Sequence, residues 1–289
     1  MIKCIAIDMD GTLLNSKQKI SAENKEAILK AQEQGIEVVV ATGRSYIEAI
    51  HVIEEAQIIS PIISINGAVV MDKEGQKVVS NPINPDGVKL AIHVLENHGI
   101  YYEIYTSDGI YSNDKDRSIA TIVDVFCTAN PQLDPMEVTE LARNRFEIGH
   151  VKEVESYSRL MEDDSLEFYK LLVFSADLER LGEAGGRLKR IDGLAITSSG
   201  RENLEINSMD AQKGIALEKF VREKGIALSE TMALGDNFND VSMFERVGLA
   251  VAMGNAPSEI QKICHEVTDT NENNGVANAI LKVIGESTP

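Results

Sequence analysis

"AIDMDGTLLN", residues 6–15, is the stretch whose reading decides the fold. An apolar run, residues 2–7, stops abruptly at Asp8 and Asp10, and Gly11 and Thr12 follow at once. A short apolar run bounded by a turn signal reads as a buried strand. Two carboxylates at its end repel each other, and a buried charge is costly unless something compensates it. The pair therefore belongs either to a solvated turn or to a place where a cation and a reacting group meet.

Outward from this stretch the chain alternates. Residues 22–34 read as a helix, with Ser21 as its N-cap and Gly35 just past its end. "IEVVVATGR", residues 36–44, begins as a second buried strand, and a helix over residues 46–56 comes next. "PIISINGAVV", residues 61–70, is a third apolar run. Strands that alternate with helices form parallel sheets covered on both faces. Unbroken Val/Ile runs suit strands buried on both sides.

The pattern then changes. "MDKEGQKVVSNP", residues 71–82, reads as a hairpin turn and return strand, and Pro82 and Pro85 punctuate the chain. Residues 86–98 place Val88, Ala91, Ile92 and Leu95 at helical spacing, and Gly99 ends the helix. "YYEIYTSDGIYSN" reads as a hairpin turning at Asp108 and Gly109. "FYKLLVFSA", residues 168–176, is a further strand, and Tyr101, Tyr102 and Tyr105 read as core of this region in preference to substrate contacts. The first style returns with a helix over residues 211–224, the strands in "TMALGD" and "LAVAM", and a last helix over residues 276–284. The expected fold is α/β, a doubly wound, Rossmann-like parallel-sheet core over residues 1–82 and 191–289. An α+β unit over residues 83–190 splits it.

Composition narrows the function. The 289 residues carry a formal net charge of −18, which disfavours both nucleic-acid backbones and anionic membranes. No run approaches the roughly 18 apolar residues of a membrane helix. Asp8 and Asp10 interrupt the first apolar run too early for a signal peptide. Three scattered cysteines with no Cys-x-x-Cys suit free thiols in a reducing cytoplasm. The five histidines form no zinc-ligand pair. No protein partner is evident.

Ligands of open parallel sheets bind beyond the carboxyl ends of the strands. Asp8 and Asp10, then Thr42, Gly43 and Arg44, then Gly235 and Asp236 with Asn239 and Asp240 all fall at such ends, and Lys213 opens a helix. Three or more carboxylates in one crevice need a cation. Oxygen ligands without His or Cys mean a hard metal, and Mg²⁺ suits a phosphate substrate. One carboxylate can attack phosphorus while a second, two residues away, hands a proton to the leaving oxygen. Each segment alone has a plainer account. Thr42-Gly43 is also a cap and turn, Lys213 is also a solvated helix lysine, and Gly235-Asp236 is also a common strand end.

Together and in order, "DMDGT", "ATGR", Lys213-Gly214 and "GDNFND" resemble the four motifs of the haloacid dehalogenase superfamily. The position and size of the insert, with "SINGA" and "ENLEI", resemble the Cof-type phosphatases, whose α+β cap is of the class IIB (C2B) type. The resemblance implies roles. Asp8 is the nucleophile and a Mg²⁺ ligand. Asp10 is general acid and then base, and ligates Mg²⁺ through its main-chain carbonyl. Asp236 is a further metal ligand. Met9 and Gly43 amides, Thr42, Lys213 and Asn239 hold the phosphoryl group, and Asp240 supports Lys213 or a metal-bound water. True dehalogenases lack the second aspartate, so Asp10 favours a phosphatase.

Arg44, Asn66 and Arg201, with Glu202, are candidate substrate contacts. Arg44 is equally well read as the partner of a surface carboxylate, and Asn66-Gly67 as a hairpin turn. The expected activity is Mg²⁺-dependent hydrolysis of small phosphorylated metabolites, sugar phosphates foremost, in the cytoplasm. The alternatives are a phosphomutase of the phosphomannomutase type and a non-catalytic phosphate-binding signalling module. Linkers near Ile83 and Asp192 are the expected hinges of a closing cap.

Overall fold

The computed structural model describes residues 1–129, 133–198 and 200–285. They form two compact units, Met1–Ser80 with Asp210–Pro289, and Asn81–Met209. The first unit opens with β1 (Cys4–Asp8), buried at every position, and a tight turn at Met9–Leu13. Then come α1 (Ala22–Glu33), β2 (Glu37–Ala41), α2 (Tyr46–Glu55), β3 (Ile62–Ser64), β4 (Val69–Met71) and β5 (Lys77–Ser80). Ser21 Oγ accepts from the Asn24 N–H at 3.2 Å and starts α1. Ser45 and Glu48 form a reciprocal capping box that starts α2.

The second unit runs through α3 (Pro85–Asn97), β6 (Tyr101–Thr106), β7 (Gly109–Ser112), α4 (Lys115–Ala129), α5 (Pro135–Glu147), β8 (Val151–Glu153), α6 (Tyr157–Met161), β9 (Phe168–Phe174), α7 (Leu178–Leu188), β10 (Leu194–Thr197) and β11 (Asn203–Ser208). The first unit resumes with α8 (Lys213–Glu223), β12 (Thr231–Gly235), α9 (Val241–Phe244), β13 (Leu249–Ala252), α10 (Ser258–Ile263), β14 (Glu266–Val267) and α11 (Gly275–Ile284).

The first unit's sheet has the order β14-β13-β12-β1-β2-β3-β4-β5. It is parallel from β14 to β3 and antiparallel over β4 and β5. The third apolar run is thus two strands folded around a turn at Ile65–Gly67. Alternate residues serve opposite faces. Ile5, Ile7, Val38 and Val40 pack on one side with α1, α2 and α11. Cys4, Ala6, Val39 and Ala41 pack on the other with α8, α9 and α10. The small residues of the second face leave room for Phe220 and Phe244. β1 is followed in sequence by β2 on one flank, while β12 lies on the other. That reversal of direction opens a crevice at the carboxyl end of β1.

The second unit's sheet has the order β10-β11-β9-β6-β7-β8. Tyr102, Ile104, Leu171, Val173 and Ile206 pack against α3 and α7. Tyr101, Tyr102 and Tyr105 are all buried, as expected of core residues. The fully buried Glu103 carboxylate accepts from both Arg145 terminal nitrogens, at 2.9 and 2.8 Å, and so ties α5 to β6.

The chain leaves the first unit at Ser80, but returns at Asp210 rather than near residue 191. The reason is pairing. β10 and β11 form a hairpin, and β11 joins β9 with Ile206 opposite Leu171. An alternating strand reads alike whichever sheet receives it. Among the described residues no helix is long and apolar enough to cross a membrane.

Candidate active site

The crevice is built from three strand ends and one helix start. β1 delivers Asp8, only 4% exposed. The turn after it passes through Gly11 at φ +75°, a left-handed conformation. A Cβ on Gly11 would run into the Asp236 carboxylate, at 2.5 Å from Oδ2, so only glycine lets the two strand ends approach. Buried Thr12 donates from Oγ1 to Asp236 Oδ1 at 3.0 Å, and Asn255 Nδ2 donates to the Gly11 carbonyl at 2.8 Å.

β2 delivers Thr42 and Gly43. Thr42 is buried, and its N–H donates to the Ile63 carbonyl at 2.8 Å. Its Oγ1 accepts from the Arg44 N–H at 3.1 Å. The facing turn is held in return, with Asn66 N–H on the Thr42 carbonyl (2.9 Å) and Ile65 N–H on the Arg44 carbonyl (2.8 Å). Ile65 at φ +50° and Asn66 at φ +56° are left-handed, which for a β-branched residue is a strained backbone. These two bonds to the β2 end hold it. Asn66 Oδ1 lies 3.1 Å from where a Gly43 Cβ would stand, and it accepts from Asn239 Nδ2 at 3.4 Å. Asn66 is thus both the expected turn residue and a lining residue.

Lys213 is the first residue of α8, and its side chain is fully buried, not solvated. Gly214 beside it allows this. A Cβ there would collide with the Ser242 carbonyl, while the Gly214 N–H donates to Ser242 Oγ at 3.0 Å. Lys213 Nζ donates to Asp8 Oδ1 at 2.5 Å and to Asp240 Oδ1 at 2.7 Å. Asp240, also fully buried, accepts on Oδ2 from the N–H groups of Asp236 (3.0 Å) and Asn237 (3.1 Å). It is a brace for Lys213 and for the β12 end.

One ammonium therefore faces three carboxylates. Asp8, Asp236 and Asp240 bring one oxygen each within 4.8 Å of one another. Burial, then Asp240, pushes the Asp8 carboxyl well above the usual range, against the pull of Lys213. Burial and Asp240 push Asp236 up to about 6. Burial works against the Lys213 charge, yet Asp240 and Asp8 outweigh it and raise Lys213 above the usual lysine range. The donor set is deficient in positive charge, all-oxygen and buried, and so fits a hard divalent cation. Asp240 spends both oxygens on the protein, so Asp8 and Asp236 are the pair placed to hold one. Among the described residues the buried Oδ1 of Asn239 has no protein partner, an uncommon state for a buried polar atom.

Asp10 lies at the rim with its side chain half exposed, paired with Arg44. Arg201 belongs to the second unit, exposed between β10 and β11. Thr12, Gln18 and Ser242 lie outside the site that the sequence predicts. Thr12 stood inside the quoted motif, where a buried hydroxyl beside carboxylates was a usable signal. Gln18 and Ser242 carried none.

A model of the haloacid dehalogenase-like hydrolases matches residues 5–280, and the chain belongs to this family, in its Cof-type phosphatase branch. It is a hydrolase. The curated relatives include phosphatase YwpJ of Bacillus subtilis, 38% identical over 98% of this chain and 100% of that protein. They also include the 5-amino-6-(5-phospho-D-ribitylamino)uracil phosphatase YwtE of the same organism, 37% identical over 96% of each. A solved haloacid dehalogenase-like hydrolase from B. subtilis superposes with a TM-score of 0.86 at 38% identity, over 96% of this chain and 99% of that one.

Proposed function

We propose that this hydrolase is a Mg²⁺-dependent phosphatase of small phosphorylated metabolites, sugar phosphates foremost, acting through an aspartyl-phosphate on Asp8. The observation that carries the reading is the buried Asp8 carboxylate on Lys213, with a second aspartate two residues on. In this reading an Asp8 oxygen attacks phosphorus and the ester P–O bond breaks. The departing oxygen takes the Asp10 proton. Water then gives a proton back to Asp10 and attacks the phosphoryl group, which frees Asp8 and inorganic phosphate.

Thr42 and the amides of Met9 and Gly43 hold the phosphoryl oxygens, Asn239 contributes its Nδ2, which must first turn from Asn66 Oδ1, and Lys213 balances charge as it shifts. Asp8, Asp236 and the Asp10 carbonyl would hold Mg²⁺, which when bound neutralises the phosphoryl oxygens and keeps Asp8 ionised. The unit Asn81–Met209 is the proposed cap domain. Free Cys4, Cys127 and Cys264 suit a cytoplasmic setting.

The test is phosphate release from a panel of sugar phosphates, to which the substrate printed in the name of YwtE is added. Each ester is assayed with excess Mg²⁺ and with chelator. Metal-dependent release from several esters is expected. No release from any of them would sink the phosphatase reading and favour a mutase, which a sugar bisphosphate activator would then reveal.

The metal also has a stability signature. Without it, the folded carboxyls of Asp8 and Asp236 lie above their ordinary value of 3.8, Asp236 at about 6. The folded state then binds more protons than the unfolded chain. Stability from this source is full below the unfolded value and is lost as pH rises through the folded one. In chelator, the thermal midpoint should fall as pH rises from about 4 to about 6, the span of the Asp236 shift. Mg²⁺ should therefore stabilise more at pH 7 than at pH 5. An equal Mg²⁺ effect at both would count against a metal on these carboxylates.

A further inference from the structure

Arg44 is committed to the protein along its whole length. Its N–H is held by Thr42 Oγ1 at 3.1 Å, and its carbonyl by the Ile65 N–H at 2.8 Å. At the far end Nε donates to Asp10 Oδ2 at 2.9 Å, and one terminal nitrogen donates both to Asp10 Oδ1 and to Gln18 Oε1. Gln18 stands at φ +58° in the loop that Leu14 and Ile20 close by an antiparallel bridge. The guanidinium thus ties that loop to Asp10. Burial works against the Arg44 charge, yet Asp10, Glu48 and Asp8 hold it above its ordinary range.

We propose that Arg44 is a positioning residue, whose planar fork sets the orientation of the Asp10 carboxyl for proton transfer at the leaving oxygen. The proposal rests on the phosphatase reading above. The Asp10 side chain is half exposed, and without the fork it would sample several rotamers. Two parallel N–H bonds fix both the direction and the plane of a carboxylate, which a lysine point charge cannot do. Each carboxylate oxygen has about two lone-pair directions, so the fork leaves an outward one for chemistry. As the ester P–O bond breaks, its oxygen takes the proton from Asp10. Asp10 is left as the carboxylate that Arg44 already pairs, ready to receive the proton of water. An arginine spent in this way is not a primary contact for the substrate anion.

The leaving group separates these roles. An alkoxide needs the acid, whereas p-nitrophenolate departs with little help. First-turnover release of the leaving group would be measured for a sugar phosphate and for p-nitrophenyl phosphate, in native chain, Arg44→Gln and Arg44→Lys. A positioned general acid contributes about 10²–10⁴-fold. Arg44→Gln should therefore slow the sugar phosphate by at least about 30-fold and the aryl ester by no more than about 3-fold, with KM nearly held. Arg44→Lys should not restore the rate. In an Asp10→Asn background, Arg44→Gln should add no further loss. Gln18→Ala, which keeps the ion pair, should show the same leaving-group bias more weakly.

Equal losses for both esters carried by KM would make Arg44 a substrate contact and overturn the proposal. Unchanged rates would reduce it to a surface ion pair. A native chain inactive on both esters would remove the phosphatase reading, and the proposal with it, before any variant is compared. Thermal midpoints of all variants guard against loss of fold.

Discussion

Asp8→Asn is expected to abolish turnover while leaving the fold intact or firmer. The amide keeps the shape of the carboxylate, and its oxygen can still accept from Lys213, which retains Asp240. What it loses is the nucleophile. Removing a covalent nucleophile costs about 10⁴–10⁶-fold in turnover where residual positioning survives. The stability side has the opposite sign. Burial and the facing Asp240 make the Asp8 charge costly, as its raised pKa records. A neutral amide escapes that cost. In chelator at pH 7 the thermal midpoint of Asp8→Asn should equal or exceed that of the native chain. Excess Mg²⁺ should then stabilise the variant less than the native chain, because one ligand has gone. Measurable metal-dependent turnover by a variant free of native contamination would rule Asp8 out as the nucleophile.

That pairing of lost activity with retained stability could be foreseen only in part from the sequence. The strand ends were legible because their physics is local. An apolar run that stops on a carboxylate is visible in six residues, and β1 and β12 announce themselves so, while β2 runs instead into Thr42 and Gly43. Their convergence followed from parallel order, since alternate strands and helices leave few topologies. The burial of Lys213 was not legible. It depends on Gly214 meeting the Ser242 backbone, a contact across 28 residues. The return boundary was misplaced for a similar reason, because the strand-like alternation of residues 194–208 does not reveal its partner. The sequence leaves Arg44 equally a substrate contact or the partner of a carboxylate, and the structure gives it Asp10. Only the fold reveals that Gln18 completes the clamp.

Lys213→Met should damage both stability and activity, and its two effects should separate with pH. The native ammonium lies between two carboxylates that are almost wholly out of water. Methionine fills similar space without charge, so Asp8 and Asp240 would confront each other unbalanced. Removing one member of a buried ion pair costs about 3–5 kcal/mol. For a domain of this size that corresponds to a midpoint roughly 10 °C lower at pH 7. The penalty belongs to the ionised carboxylates, so it should shrink as pH falls and they take up protons. Excess Mg²⁺ should recover part of the stability, because it supplies charge to Asp8 from the other side. Activity should not follow. A preorganised charge at a reacting group is worth about 10²–10³-fold, and a metal at Asp8 cannot stand where Nζ stood between Asp8 and Asp240. Lys213→Arg should fail as well, because the fully buried side chain leaves no space for a guanidinium. A Lys213→Met chain that melts with the native one at pH 7 in chelator would show that the two carboxylates need no internal cation. The electrostatic account of this site would then fail at its centre.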